Sequence, residues 1–405
     1  MRKIIIMGSG AQGSTIAARL QEEPGVEEIV CADYDLRAAQ ELEKTLPKAR
    51  AVAVNATKID EIVKAAEGCE LIVNGLPPEF NMRVMDAAIA VGGSYQDMAA
   101  GNAERGFVAA VQAQLDRDAE FADAGLTALL TCGSAPGIAN LIAREAVDKF
   151  DRVETIDFLV YEGVWTTHFI PFWWSPETAF DDMVSRPVVY RNGEHILVPP
   201  FNDPAWVDFP GVGRRRMYDH HHEEPVTMGL LADRYLKGAK NINFRFGGPA
   251  AEMARSYFEM GLLSHEPVDV NGQRVVPFDL VDALAPPAPK YPDEIKKVIE
   301  AGIEADEGAF LVRVDGEIDG NEVRIDSYLN TPGLKDSFER AGISHEAYLT
   351  GQSAYLFTKL LVREKIDQKG VFPPEALEAP ARAYYLEEAA KLDLTVDEVV
   401  QRRMY

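Results

Sequence analysis

The sequence predicts an α/β fold: a parallel sheet covered by helices, with a second α+β domain after it. Three observations carry this. Short apolar runs alternate with segments of helical period through the first ~130 residues. A glycine-rich turn joins the first run to the first helix. Beyond Val153 the pattern changes to short strands with hairpin signals.

The strand runs of the first part are 3–7, 28–32, 71–74 and 127–131. Between them, 14–22, 36–45 and 58–67 place Ala, Leu, Ile and Val three and four residues apart among charges, the pattern of crossover helices. After Gly133-Ser134-Ala135-Pro136-Gly137 a helix is expected, with Ile138, Leu141, Ile142 and Ala146 on its apolar face. Further strands are read at 155–161, 188–190, 196–198 and 310–314, with Asn192-Gly193 as a hairpin turn. Helical period returns at 352–364 and 381–391, punctuated by Gly370 and Pro373-Pro374. The expected division is therefore 1–137 with 331–405 as one domain and 138–330 as the inserted one.

A length of 405 residues suits two or three domains of ~100 to 200 residues each. Hydrophobic residues at 47% and charged residues at 26% are the balance of a chain that folds throughout. A net charge of -24 repels phosphate backbones and anionic lipids, so no nucleic-acid or membrane partner is expected and a small molecule is. Cys31, Cys69 and Cys132 are too few and scattered for a disulfide framework, which points to a reducing compartment, the cytoplasm. The apolar run at the N-terminus is far shorter than the ~20 residues of a spanning helix.

Gly8-Ser9-Gly10-Ala11-Gln12-Gly13 follows the first strand directly and opens the first helix. In that context the spacing marks a dinucleotide-binding, Rossmann-type domain. Gly8 permits the tight turn, Gly10 lets backbone approach a pyrophosphate, and Gly13 allows helix and strand to pack closely. Ala11 and Gln12 lie in the first helical turn, whose unpaired N–H groups suit phosphate. Asp33 ends the second strand, where a carboxylate accepts hydrogen bonds from ribose hydroxyls. Tyr34 follows it where an NADP pocket usually places a cation, and Arg37 is the nearest one, so NAD is favoured over NADP. Asn74, Gly75 and Pro77, at the end of a later strand, are placed along the cofactor edge, and Asp35 is read as a helix cap.

These features, together with Tyr95-Gln96-Asp97, the segment 133–140, Trp174-Ser175-Pro176-Glu177, Arg186-Pro187 and Asn192-Gly193, occur in an order that resembles the saccharopine dehydrogenase family. His222-Glu223-Glu224-Pro225-Val226-Thr227, Arg245-Phe246 with Gly248, and Gly370-Val371-Phe372-Pro373-Pro374-Glu375 are similar to later family segments. Pro249 stands where a histidine usually follows, so a substrate contact made by that histidine is missing here. The resemblance implies a Rossmann domain completed by C-terminal helices, an inserted α+β domain built on a mixed sheet, hydride transfer at a carbon bonded to nitrogen, amino-acid or amine substrates, and a homodimer.

Such chemistry needs proton transfer as well as hydride transfer. Asp97 and Tyr95, on one face of an extended segment, and His222 with Glu224, two residues apart, are the expected acid/base groups. Arg245 is expected to bind a substrate carboxylate through two parallel donors, with a surface or inter-helix ion pair as its alternative. Trp174, in a cluster with Trp165, Phe169, Phe172 and Trp173, is expected to wall the substrate pocket. No metal site is expected, because consecutive residues such as His220-His221-His222 alternate faces on a strand. Cys132 has no neighbouring base and is not assigned as a nucleophile. The leading expectation is an NAD(P)-dependent oxidoreductase working through an imine. Its alternatives are reductive condensation of an amine with a carbonyl compound, and a dinucleotide-binding regulator without catalysis.

Overall fold

Ile4, Ile5, Ile6 and Met7 are all buried in β1 (Arg2–Met7), as a strand covered by helices on both faces requires. The structure, a computed structural model, describes residues 2–101 and 106–402. The chain divides into two units by internal contacts: Met1–Asp148, Val226–Leu236 and Leu349–Thr395 form unit 1, and Lys149–Pro225, Lys237–Tyr348 and Val396–Tyr405 form unit 2. Thus 226–236 belongs to unit 1, whereas 331–348 and the last residues belong to unit 2.

In unit 1, β1 is followed by β2 (Val26–Asp33), β3 (Ala49–Ala53), β4 (Leu71–Asn74), β5 (Ser94–Asp97) and β6 (Thr127–Leu129). The helices between them are α1 (Ala11–Leu20), α2 (Leu36–Thr45), α3 (Ile59–Ala65), α4 (Asn81–Val91), α5 (Phe107–Leu115) and α6 (Asp118–Asp123); α7 (Ile138–Val147) follows β6. Asp35 caps α2 by accepting from the Arg37 amide at 3.0 Å, as expected.

Unit 2 begins with β7 (Arg152–Thr166), α8 (Pro176–Val184), β8 (Val188–Arg191), β9 (Glu194–Leu197), β10 (Ala205–Phe209) and β11 (Gly213–Asp219). The chain then enters α9 (Glu224–Leu230) and returns as β12 (Asn241–Gly247). The small hairpin β13 (Val268–Val270) and β14 (Gln273–Val275) precedes the long pair β15 (Ile303–Ile318) and β16 (Asn321–Asn330). The last strands are β17 (Gly370–Phe372) in unit 1 and β18 (Thr395–Arg402).

The sheet of unit 1 has the order β17-β6-β5-β4-β1-β2-β3, with every neighbouring pair parallel. From β6 to β3 this is the doubly wound order with its switch point between β1 and β4, where ligands bind outside the carboxyl ends. Register sets that edge: Met7 pairs with Ala32 and Asn74, and Asn74 with Asp97. The residues just beyond them therefore emerge side by side. Under the edge, Ile5, Val30, Ile72, Tyr95 and Ala128 pack with Val84 and Ala88 of α4, Phe121 of α6 and Val371 of β17. Gly370 enters β17 at φ +108, and a Cβ there would meet the Asp118 carboxylate at 2.0 Å, the group that accepts the Val371 amide.

In unit 2, β7 runs parallel to β12 and antiparallel to β15. The sheet order is β10-β11-β12-β7-β15-β16-β18, with β8 on β12 and β9 on β8. Asn192 and Gly193, at φ +51 and +86, close the β8–β9 hairpin with Arg191 opposite Glu194, as their spacing predicts. Among the described residues, no helix is long and apolar enough to cross a membrane.

Candidate active site

The glycine loop is built by backbone contact. Gly8 stands at φ +94, and a Cβ on it would lie 2.9 Å from the Gly75 carbonyl oxygen. A Cβ on Gly13 would lie 1.9 Å from the Gly8 carbonyl oxygen, so only hydrogen fits between loop and helix. Gly10 differs: its Cβ would meet nothing within 4 Å. Open space at that point, before an α1 first turn that holds no acidic residue, suits a pyrophosphate on the helix N-terminus. The Ser9 hydroxyl and the Gln12 side-chain oxygen are buried there without hydrogen-bond partners, as groups reserved for a ligand are.

Asp33 fastens the loop to β2. One carboxylate oxygen accepts the Ser9 amide at 2.7 Å and the other the Asp35 amide at 2.9 Å. Tyr34 is 82% exposed, so nothing in unit 1 packs its ring. Asn74 donates to Asn81 at 2.8 Å and to the Tyr95 hydroxyl at 3.2 Å, while the Gly75 amide returns to the Met7 carbonyl. Pro77 leads into the turn before α4. These residues fit an NAD(P) cofactor: the loop and Ala11 for the phosphates, Asp33 and Tyr34 for the adenosine ribose, and the 74–77 turn beside them.

Tyr95 and Asp97 meet as their two-residue spacing predicts, but both are buried inside unit 1. The Tyr95 hydroxyl donates to Asp97 at 2.9 Å, Gln114 donates to the same oxygen at 2.7 Å, and the Thr131 amide donates to the other at 2.6 Å. Burial and the Asp97 charge lift the Tyr95 hydroxyl well above its ordinary pKa. The pair holds the segment after β6, where Thr131 sits at φ +55, a costly conformation for a β-branched residue. Cys132 is fully buried, and burial with the Asp97 charge lifts its thiol well above the ordinary value, so it is not a nucleophile.

The second constellation lies in unit 2. His222 stacks on Phe244 with ring centroids 3.9 Å apart and planes at 7°, and its Nδ1 lies 2.5 Å from a Glu224 carboxylate oxygen. His220 packs 5.9 Å from His222 and 5.4 Å from Phe246, and Trp174 meets Phe246 edge-on at 6.2 Å. Trp174 and His222 therefore stand along one aromatic wall. Burial alone would push the His222 imidazole down, but the carboxylates of Glu224, Glu223 and Asp182 outweigh it and lift it to about 9. Burial lifts Asp182 to about 7 against the pull of His222. His220, buried beside two other imidazoles, falls well below the ordinary range and stays neutral.

Arg245 is not brought to that wall. Successive side chains on β12 alternate faces, so Arg245 points away from the side that carries Phe244 and Phe246. Its guanidinium donates to the Asp203 backbone and carboxylate oxygens, both at 3.1 Å, and lies 3.2 Å from Asp219. The carboxylate partner expected from a substrate is thus supplied by the chain. His220 and His222 face one side while His221 turns to the Arg186 carbonyl; beyond them β11 has ended at Asp219 and the chain enters α9, so His222, Glu223 and Glu224 converge.

Two family models cover nearly all of the sequence: the saccharopine dehydrogenase NADP binding domain over residues 4–129 and the saccharopine dehydrogenase C-terminal domain over 133–391. The chain belongs to the saccharopine dehydrogenase family. It is an NAD(P)-dependent oxidoreductase that acts at carbon–nitrogen bonds, as the resemblance implied. It is 24% identical to a carboxyaminopropylagmatine dehydrogenase of Synechocystis sp., over 99% of this chain and 98% of that one. It is 28% identical to a carboxynorspermidine synthase of Vibrio alginolyticus, over 83% of this chain and 80% of the other. The fold matches apo saccharopine dehydrogenase (L-Glu forming) from Saccharomyces cerevisiae with a TM-score of 0.69 at 16% identity, covering 99% of this chain and 100% of that one.

Sequence reasoning missed Asp182, Phe244 and Phe246 on the unit 2 wall. The period of β12 carried a signal for the two phenylalanines, whereas nothing local marks Asp182.

Two outcomes follow. Gly10→Val, which meets no protein atom at its Cβ, leaves the melting temperature unchanged but weakens NAD(P)H binding by at least ~10-fold in a fluorescence titration; unchanged affinity would place the pyrophosphate elsewhere. The folded state favours the charged imidazole of His222, so its stabilising effect is full below the free value of ~6.5 and is lost as pH rises through about 9. Activity should fall along a basic limb near that upper value, and Glu224→Gln should move the limb to lower pH. A limb that stays in place would remove His222 from the reaction.

Proposed function

We propose that this enzyme couples a primary amine to a carbonyl compound that carries a carboxylate, and reduces the adduct to a secondary amine. The observation that carries this reading is the paired His222 and Glu224 among further carboxylates. A proton donor of raised pKa, ringed by Glu223 and Asp182, suits a cationic amine and a hydroxyl that must leave as water. The relatives named for carboxylated polyamine products support the same substrate class.

The steps balance as follows. The free amine adds to the carbonyl carbon and forms a carbinolamine. His222 gives a proton to its hydroxyl, the C–O bond breaks, and water leaves with an iminium behind. NAD(P)H, when bound, supplies the hydride that reduces the iminium carbon. Glu224 holds the imidazolium before the transfer and orients the ring after it. Trp174 bounds the substrate beside Phe246. Tyr95 and Asp97 act as positioning residues, keeping the chain after β6 in its strained form. Arg245 serves the sheet through Asp203 and Asp219. The Asp33 carboxylate argues for NAD over NADP, since it repels a 2′-phosphate. Three buried, unpaired cysteines accord with the cytoplasm.

The test offers NADH or NADPH with agmatine, short diamines or lysine, each together with carboxylate-bearing aldehydes and 2-oxo acids. The expected result is cofactor oxidation that needs both partners, with a secondary amine found by mass spectrometry. Oxidation of lysine or saccharopine alone would replace coupling by dehydrogenation as the reaction. Cofactor binding without turnover on any pair would leave a regulator.

A further inference from the structure

His222, Glu223 and Glu224 are adjacent in sequence yet bring one ligating atom each to within 4.8 Å of the others. Nδ1 of His222 lies 2.5 Å from Glu224 Oε2 and 3.8 Å from Glu223 Oε2. The turn from β11 into α9 makes this possible, because residues at a helix start do not alternate as strand residues do. The ring is fixed in advance by its stack on Phe244. The Glu224 side chain is wholly enclosed, and its second oxygen, Oε1, has no hydrogen-bond partner. An enclosed carboxylate oxygen without a partner is costly, and a coordinated cation is one way to satisfy it.

We propose that His222, Glu223 and Glu224 form a binding site for a divalent transition ion of the zinc class. Imidazole nitrogen and carboxylate oxygen are both ligand types that zinc accepts, and three protein ligands leave a fourth position open. The imidazole favours zinc, cobalt or nickel over calcium and magnesium, which prefer oxygen alone. Tetrahedral bonds of about 2.0–2.2 Å need the close Nδ1···Oε2 pair to open by ~1 Å and the Glu223 oxygen to move in by a few tenths of an ångström. Asp182, whose charge reaches the same imidazole, adds to the attraction.

Cobalt(II) added to the metal-free full-length protein should give a visible absorption band that saturates at one ion per chain and is bleached by zinc. His222→Ala and Glu224→Gln should abolish the band, and Glu223→Gln should weaken binding by at least ~10-fold. His221→Ala, whose ring bonds the Arg186 carbonyl instead, should leave it unchanged. Circular dichroism and melting curves of each variant exclude misfolding as the cause. No band with wild type, or a band that survives both His222→Ala and Glu224→Gln, overturns the site.

Discussion

Close backbone approach at the carboxyl edge of the parallel sheet is the constraint on which the rest of unit 1 depends. Gly13 against Gly8, and Gly8 against Gly75, leave room for hydrogen alone. Parallel pairing brings Met7, Asn74 and Asp97 into adjacent registers, so the loop after β1, the turn after β4 and the end of β5 open at one edge. Asp33 then holds the loop by two backbone amides. The loop is preorganised for a dinucleotide because the sheet gives its backbone nowhere else to go.

Unit 2 solves a different problem, that of keeping charge inside a chain of net charge -24. Enclosed carboxylates there are compensated in distinct ways. Asp219 lies against Arg245, which also reaches the exposed Asp203, and Asp326 takes two parallel bonds from Arg313 at 2.7 and 2.8 Å. Glu224 instead leans on an imidazole, which can change its charge in the accessible pH range where a guanidinium cannot. That difference separates a group that stabilises the sheet from one suited to proton transfer.

Much of this was legible in the sequence where the signal is local. The glycine spacing, Asp33, the Asp35 cap and the Asn192-Gly193 turn each follow from backbone requirements that only a few residue types meet. The tail helices, His345–Val362 and Ala379–Ala390, were legible by period, but the three-residue β17 was not: its partner β6 lies about 240 residues away, and no short run announces such a pairing. Arg245 invited a substrate role because the sequence cannot reveal that Asp203 and Asp219 fold onto it. Asp97 reads as acid/base by type, yet its oxygens are engaged by Tyr95, Gln114 and Thr131 from three separate segments. The pairing of His222 with Glu224 was legible from their spacing, whereas the approach of Glu223 was not, because it depends on the turn by which the chain leaves the sheet after Asp219.

The central claim is that hydride passes to a carbon bonded to nitrogen. The most direct measurement uses cofactor deuterated at the transferable position of the nicotinamide and locates the label in the coupled product by NMR. The account predicts one deuterium on the carbon that carries the new C–N bond, with a slowed hydride step. Label lost to water, or found on any other carbon, would contradict it.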